Sequence, residues 1–113
     1  MAKINEKAIE YIRKIPPPFR VLIEELRSLI LDIGKEVNIS ESFQNKKPVY
    51  KIEEKPYFYI EKLPKRHIRL GIYNKKVQHI TDESDVNQIE IRSKEDIETL
   101  GIADLIKKRI QHL

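Results

Sequence analysis

Two sets of side chains in this 113-residue chain have the types and spacing for binding chemistry. The first is a row of carboxylates, Glu24, Glu25, Asp32, Glu36 and Glu41, along one side of an amphipathic stretch and its exit. Carboxylate oxygens are hard donors, so they offer a place for a divalent cation. The plainer reading is a solvated helix face with Arg27 and Lys35 nearby. The second set is Tyr57, Tyr59, His67, Arg69 and Tyr73, with Lys51, which strand alternation places on the outward face of a sheet. Aromatic rings interleaved with basic residues suit a nucleic acid or another anion, because nucleobases stack and phosphates pair. The plainer reading is cross-strand pairing of tyrosine with arginine for sheet stability. A third group, His79, Asp82, Glu83 and Asp85 in H-I-T-D-E-S-D, matches no defined cation loop and reads as a solvated acidic turn. His67 and His112 stand without local ligand partners.

Several chemistries are excluded by composition. Cysteine is absent, which removes disulfides, thiolate metal sites and cysteine nucleophiles. There is no G-x-G-x-x-G or Walker pattern, and three glycines leave little material for a phosphate-cradling loop. No G-x-S-x-G elbow and no H-E-x-x-H occur, and no residue set nominates an enzyme. The net charge of +4 is mildly basic, with both signs interspersed over the chain. The first residues, Met1-Ala2-Lys3-Ile4-Asn5-Glu6-Lys7, carry charge where a signal peptide needs an apolar run. No apolar run approaches the roughly 20 residues that span a bilayer. A cytoplasmic protein without a membrane segment is expected.

The elements that must position these residues are legible from periodicity. Asn5 is placed to cap a short helix, with Ile4 and Ile9 as a staple and Ala8, Ile9, Ile12 and Ile15 at helical spacing. Pro16-Pro17-Pro18 ends it, and Pro18 fits the first turn of the next helix. In that second helix Leu22, Ile23, Leu26, Leu29, Ile30 and Ile33 share one face. Burying those side chains stabilises by roughly 1.5–3 kcal/mol each, so the helix must lie against a sheet. Gly34 reads as its C-terminal residue of positive φ. Residues 37–47 are ambiguous, with Gln44-Asn45-Lys46-Lys47 a polar turn. Strands follow around Tyr50–Ile52, Tyr57–Ile60, Ile68–Tyr73 and Gln88–Arg92, with Val77 and Ile80 as a short further strand or an extended loop. Phe58 and Ile60 are expected inward, and Tyr57 and Tyr59 outward. Ser93-Lys94-Glu95-Asp96 reads as a capping box, Gly101 as an interruption, and Ile102, Leu105, Ile106 and Ile110 as a last amphipathic helix. The result is an α+β domain over 1–113, an antiparallel sheet with helices packed on one face in the order α-α-β-β-β-(β)-β-α.

The segments A-I-E-Y-I-R-K-I-P-P-P-F-R (8–20), L-I-E-E-L-R-S-L-I (22–30), E-S-F-Q-N-K-K-P-V-Y (41–50), P-Y-F-Y-I-E-K-L-P-K-R-H-I-R-L-G-I-Y (56–73) and I-E-I-R-S-K-E-D-I (89–97) together resemble the YdhG-like family, domain of unknown function 1801. The likeness covers nearly the whole chain. It implies a curved antiparallel sheet with flanking helices. For some members it implies a frataxin-like intracellular iron chaperone that serves iron–sulfur cluster or haem assembly proteins. The leading expectation is therefore a small non-enzymatic protein that binds iron or another divalent cation through Glu24, Glu25, Asp32, Glu36 and Glu41. The alternative is a nucleic-acid or anion-binding module that uses Tyr57, Tyr59, His67, Arg69 and Tyr73 on an exposed sheet face.

Overall fold

A computed structural model describes residues 2–64, 67–75 and 86–111. The elements run α1 (Glu6–Arg13), α2 (Pro17–Gly34), a 3-10 turn (Lys35–Val37), β1 (Ser40–Gln44), β2 (Lys47–Ile52), β3 (Lys55–Lys62), β4 (Ile68–Tyr73), β5 (Val86–Ile91), α3 (Lys94–Thr99) and α4 (Ile102–Gln111). Among the described residues the strands form one antiparallel meander in sequence order. The α+β order expected from the sequence is the order found. Val77 and Ile80, and the His79–Asp85 cluster, lie outside the described residues, as does His112. Among the described residues no helix is long and apolar enough to cross a membrane.

Local sequence explains the ends of the helices. Asn5 has an extended backbone, and its Oδ1 accepts from the N–H groups of Lys7 at 2.9 Å and Ala8 at 3.2 Å. Ile4 does not close a staple, since it is 63% exposed. The proline run separates α1 from α2, and Pro17 opens α2 where its missing N–H costs nothing. Gly34 serves a different purpose from the one expected. Its φ is −85°, an ordinary helical value, and a Cβ there would meet Ile39 at 2.7 Å. It is glycine because Ile39 packs onto the helix end, and the left-handed residue that closes the turn is Asn38, with φ 55°. Ser93 caps α3, while Asp96 reaches back to the Arg92 N–H at 2.8 Å. Gly101, with φ +62°, turns the chain from α3 into α4.

The ambiguous segment after α2 becomes β1 and the first of two tight hairpins. In the β1–β2 turn Asn45 and Lys46 both have positive φ, and so do Glu53 and Glu54 in the β2–β3 turn. Each turn carries two left-handed residues, the pattern of a two-residue hairpin whose twist matches its strands. The edge of β1 is joined by Lys3, whose N–H donates to Ile39 O at 3.0 Å and whose carbonyl accepts from Glu41 N at 2.8 Å. This short contact delivers the start of α1 to the side of β1.

The core lies between the helices and one face of the sheet. Ile12, Leu22, Ile23, Leu26, Ile30, Ile97, Ile102 and Ile106 from the helices meet Tyr50, Phe58, Ile60, Ile68, Leu70, Ile72 and Ile91 from the strands. Alternation along β4 sends Ile68, Leu70 and Ile72 into it. One departure from alternation corrects the expected placement of Tyr57. The β2–β3 register steps from Tyr50↔Phe58 to Lys51↔Pro56, so Tyr57 is an extra residue at a bulge. Its ring belongs to the same buried cluster as Phe58, not to the outward face.

On the opposite face Val49, Tyr59 and Tyr73 form a second buried cluster, with Val86 against it. Tyr59 stands directly opposite Gly71, which in turn stands opposite Gln88. The tyrosine ring lies across the glycine, so a methyl group at residue 71 would overlap it. Substituting Gly71→Ala is therefore expected to destabilise the protein by about 1–3 kcal/mol, the usual cost of overpacking. Urea unfolding of the variant measures this, and unchanged stability would show that the ring does not occupy the space above Gly71.

Candidate functional site

Glu41 is the most committed of the carboxylates. Its side chain is 0% exposed and receives Arg27 Nε at 2.6 Å on Oε2 and Arg27 Nη2 at 2.9 Å on Oε1. The Tyr50 hydroxyl donates to Oε2 at 2.7 Å, and the Asn5 N–H donates to Oε1 at 2.9 Å. Both oxygens thus accept two hydrogen bonds, one from the guanidinium fork and one from another element. The Glu41 hydrogen bond raises the pKa of Arg27, and burial followed by the Glu41 charge pushes that of Tyr50 well above its ordinary value. The hydroxyl remains a donor and the guanidinium a cation. Glu41 is therefore a structural carboxylate, which corrects its place in the expected cation set.

The other carboxylates do not gather around it. Asp32 pairs with Lys35 at 3.3 Å, and with Glu36, Ser28 and Ala2 it lines an open depression of about 680 Å³. Glu25 is half-buried, with one oxygen lacking a hydrogen-bond partner. Glu24 is exposed and faces a different cleft, described below. Among the described residues no three histidine, aspartate or glutamate side chains come together in a way that could hold a metal ion. Glu24, Glu25 and Asp32 lie on α2, Glu36 in the 3-10 turn and Glu41 on β1, and the turn of the helix and the change of element separate them.

The sheet face also differs from the expected one. Tyr57 is 2% exposed, and Tyr59 and Tyr73 are fully buried. Arg109 of α4 lies over the Tyr57 ring at 4.2 Å and donates to Tyr73 O. Tyr59 accepts from Gln88 Nε2 at 2.9 Å, carries Lys47 Nζ 4.1 Å above its ring, and meets the Tyr73 ring edge-on at 5.9 Å. These rings are packing surfaces, with no free face on which a nucleobase could stack. The basic residues beside them are matched by acids. Arg69 stands between Glu61 and Glu90 in register, at 3.5 and 3.7 Å, while Lys47 reaches Glu61 at 3.8 Å and Arg92 reaches Glu90 at 3.5 Å. His67 Nε2 sits 3.1 Å from the Glu90 carboxylate.

A site that the sequence reading did not single out lies between α1 and α2. Arg13, Arg20 and Arg27 line a half-open cleft of about 190 Å³ with Glu24, and Ile9 and Ile12 form its apolar wall. The spacing of Arg20, Glu24 and Arg27 by four and three residues puts them on one face of α2. The proline turn folds α1 back so that Arg13, at its last turn, joins them. Arg20 Nη1 donates to Arg13 O at 3.3 Å, which ties the two helix ends together. Arg27 is held from behind by Glu41, so its guanidinium is fixed before any ligand arrives. Guanidinium groups are planar five-donor forks, and several lining one cleft favour an oxyanion.

The charged strip on the sheet supplies one measurable check. Contact with His67 is the largest cause holding the Glu90 carboxyl below the usual carboxylate range, with Arg92 and Arg69 adding to it. A depressed carboxylate stabilises the fold above its unfolded pKa, and that contribution is lost as pH falls through the lower folded value. His67→Gln should therefore raise the Glu90 titration midpoint in a carboxyl NMR titration. An unmoved midpoint would assign the depression to the arginines alone. Comparison with protein-family models, with curated proteins and with solved structures finds no match to this chain.

Proposed function

We propose that this chain is a non-enzymatic binding protein that takes an anionic group in the cleft between α1 and α2. The observation that carries this reading is the convergence of Arg13, Arg20 and Arg27 on one small cleft. It is supported by the rigid seating of Arg27 against Glu41, because a donor already fixed loses less entropy on binding. The anion-binding alternative read from the sequence thus keeps its ligand class and changes its place.

The likeness to the YdhG-like family belongs to this proposal at the level of element order. The iron-binding role it implies has less support here. Glu41 has its hydrogen bonds satisfied within the protein, Asp32 is paired with Lys35, and Glu24 shares its cleft with three arginines. A cation would meet repulsion in that cleft and a scattered ligand set elsewhere.

Backbone amide NMR with added phosphate, sulfate, acetate or ferrous iron at constant ionic strength tests the proposal. Saturable shifts confined to residues 9–27 are expected with at least one anion, and they should weaken as chloride is raised. Absence of saturable shifts with every anion would overturn the reading. So would saturable ferrous-iron shifts clustered on residues 32–41.

A further inference from the structure

Going beyond the anion-binding reading, we infer that the chain associates with further copies of itself head to tail. The corner between α1 and α2 of one copy seats in the depressions at the far end of α2 of the next. That corner is apolar and stands out. Pro16, Pro17 and Pro18 are all exposed where the chain turns from α1 into α2. Val21, 43% exposed, follows Pro17 and Pro18 by four and three residues and so shares their side of the helix. Successive prolines are stiff, so this edge is formed before any partner arrives and loses little freedom on contact. Arg13, Lys14 and Arg20 flank it, and from Tyr11 to Ile23 the chain has three cations and no acid. Glu10 and Glu24 stand just outside that stretch.

The far end of α2 has the opposite shape and sign. The open depression of about 680 Å³ is lined by Ala2 and Leu31 together with Asp32 and Glu36. A second, of about 890 Å³, shares Ala2 and adds Val37, Glu53 and Glu54. Lys35 and Lys3 lie among these four acids, and Lys35 is paired with Asp32. Glu53 and Glu54 hold positive φ at both central positions of the β2–β3 turn, where asparagine and glycine are the preferred residues. Acids thus stand at this rim at a backbone cost that asparagine and glycine would avoid.

Complementarity selects the partner. A bilayer surface or a nucleic acid would engage the cationic corner alone and leave the acidic depressions unused. A second copy uses both, since an apolar edge fills an apolar hollow and a cationic rim meets an acidic one. The two surfaces cannot meet within one copy, because the 18 residues of α2 hold them about 27 Å apart at 1.5 Å per residue. The contact joins unlike surfaces, so it repeats from copy to copy, giving a ring if the rotation closes and a filament if it does not.

The test is sedimentation velocity of the full chain over a concentration series, in chloride buffer free of other anions, at about 20 mM and about 500 mM salt. Association that grows with concentration is expected at low salt, and high salt should weaken it about tenfold or more. Lys14→Glu with Val21→Gln alters the corner, and Glu36→Lys with Glu54→Lys alters the depressions. All four positions are exposed, and a lysine already holds positive φ at residue 46. Each double variant alone should be monomeric where the parent chain associates, because like charges would then face each other. Their equimolar mixture should form a one-to-one dimer and nothing larger, since it supplies one intact corner and one intact pair of depressions. A parent chain that stays monomeric at low salt would overturn the proposal and leave the anion-binding reading standing, because Arg13 and Arg20 line the cleft in either case. Loss of association in only one variant would overturn it in favour of a contact between like surfaces. Association that survives both variants would place the contact elsewhere, and a mixture that stays monomeric would exclude head-to-tail pairing.

Discussion

A carboxylate shut away from water ties this protein together. Glu41 on β1 receives the guanidinium of Arg27 on α2, the hydroxyl of Tyr50 on β2 and the backbone N–H of Asn5 at the start of α1. Three other segments, two of them far from β1 in sequence, meet on the two oxygen atoms of this side chain. A buried charge is costly, and removing a single partner from such a pair typically loses about 3–5 kcal/mol. The arrangement therefore accepts little variation. It fixes where α1 begins, how α2 lies over the sheet and which way Arg27 points. The arginine cleft is a consequence, because its innermost guanidinium is set by the buried acid rather than by the surface.

The two faces of the sheet use different physics. The inner face is apolar, with Tyr50, Tyr57 and Phe58 among its aliphatic side chains, and packs against the helices. The outer face is a layered arrangement of Tyr59, Tyr73 and Val49 beside a strip of alternating charge through Lys47, Glu61, Arg69 and Glu90. Cross-strand pairs of this kind stabilise a sheet by roughly 0.2–1 kcal/mol each. They also consume the cations and rings that an exposed nucleic-acid surface would need. The surface available for an anion is consequently on the helical side, where three guanidiniums share one exposed glutamate.

Much of the fold could be read from residue order alone. The apolar stripe of α2, the Asn5 cap, the proline break and Gly101 each act through near neighbours, so sequence distance and physical distance agree. The failures were long-range. Alternation places Tyr57 on the outer face, but a bulge against Tyr50 and Lys51 breaks the two-residue period, and a bulge is a property of two strands together. Gly34 has the position of a turn residue, yet its role is to admit Ile39. Tyr59 and Tyr73 look like surface residues by alternation, and only the packing of the outer face shows them buried. Arg20, Glu24 and Arg27 share one helical face by spacing alone. The third arginine of the cleft comes from α1, and nothing local to α2 announces that. Glu41 was legible as an acid near the end of α2 but not as the partner of Arg27, fourteen residues away.

The most direct measurement is a double-mutant cycle across Arg27 and Glu41, with each replaced by methionine and stability followed by urea unfolding. If the buried pair organises the fold, each single variant loses several kcal/mol and the double variant recovers a large part, giving a coupling of about 1.5 kcal/mol or more. Losses that simply add would contradict the account, because they would mean that the two residues stabilise the protein independently and that Glu41 does not hold Arg27 in place.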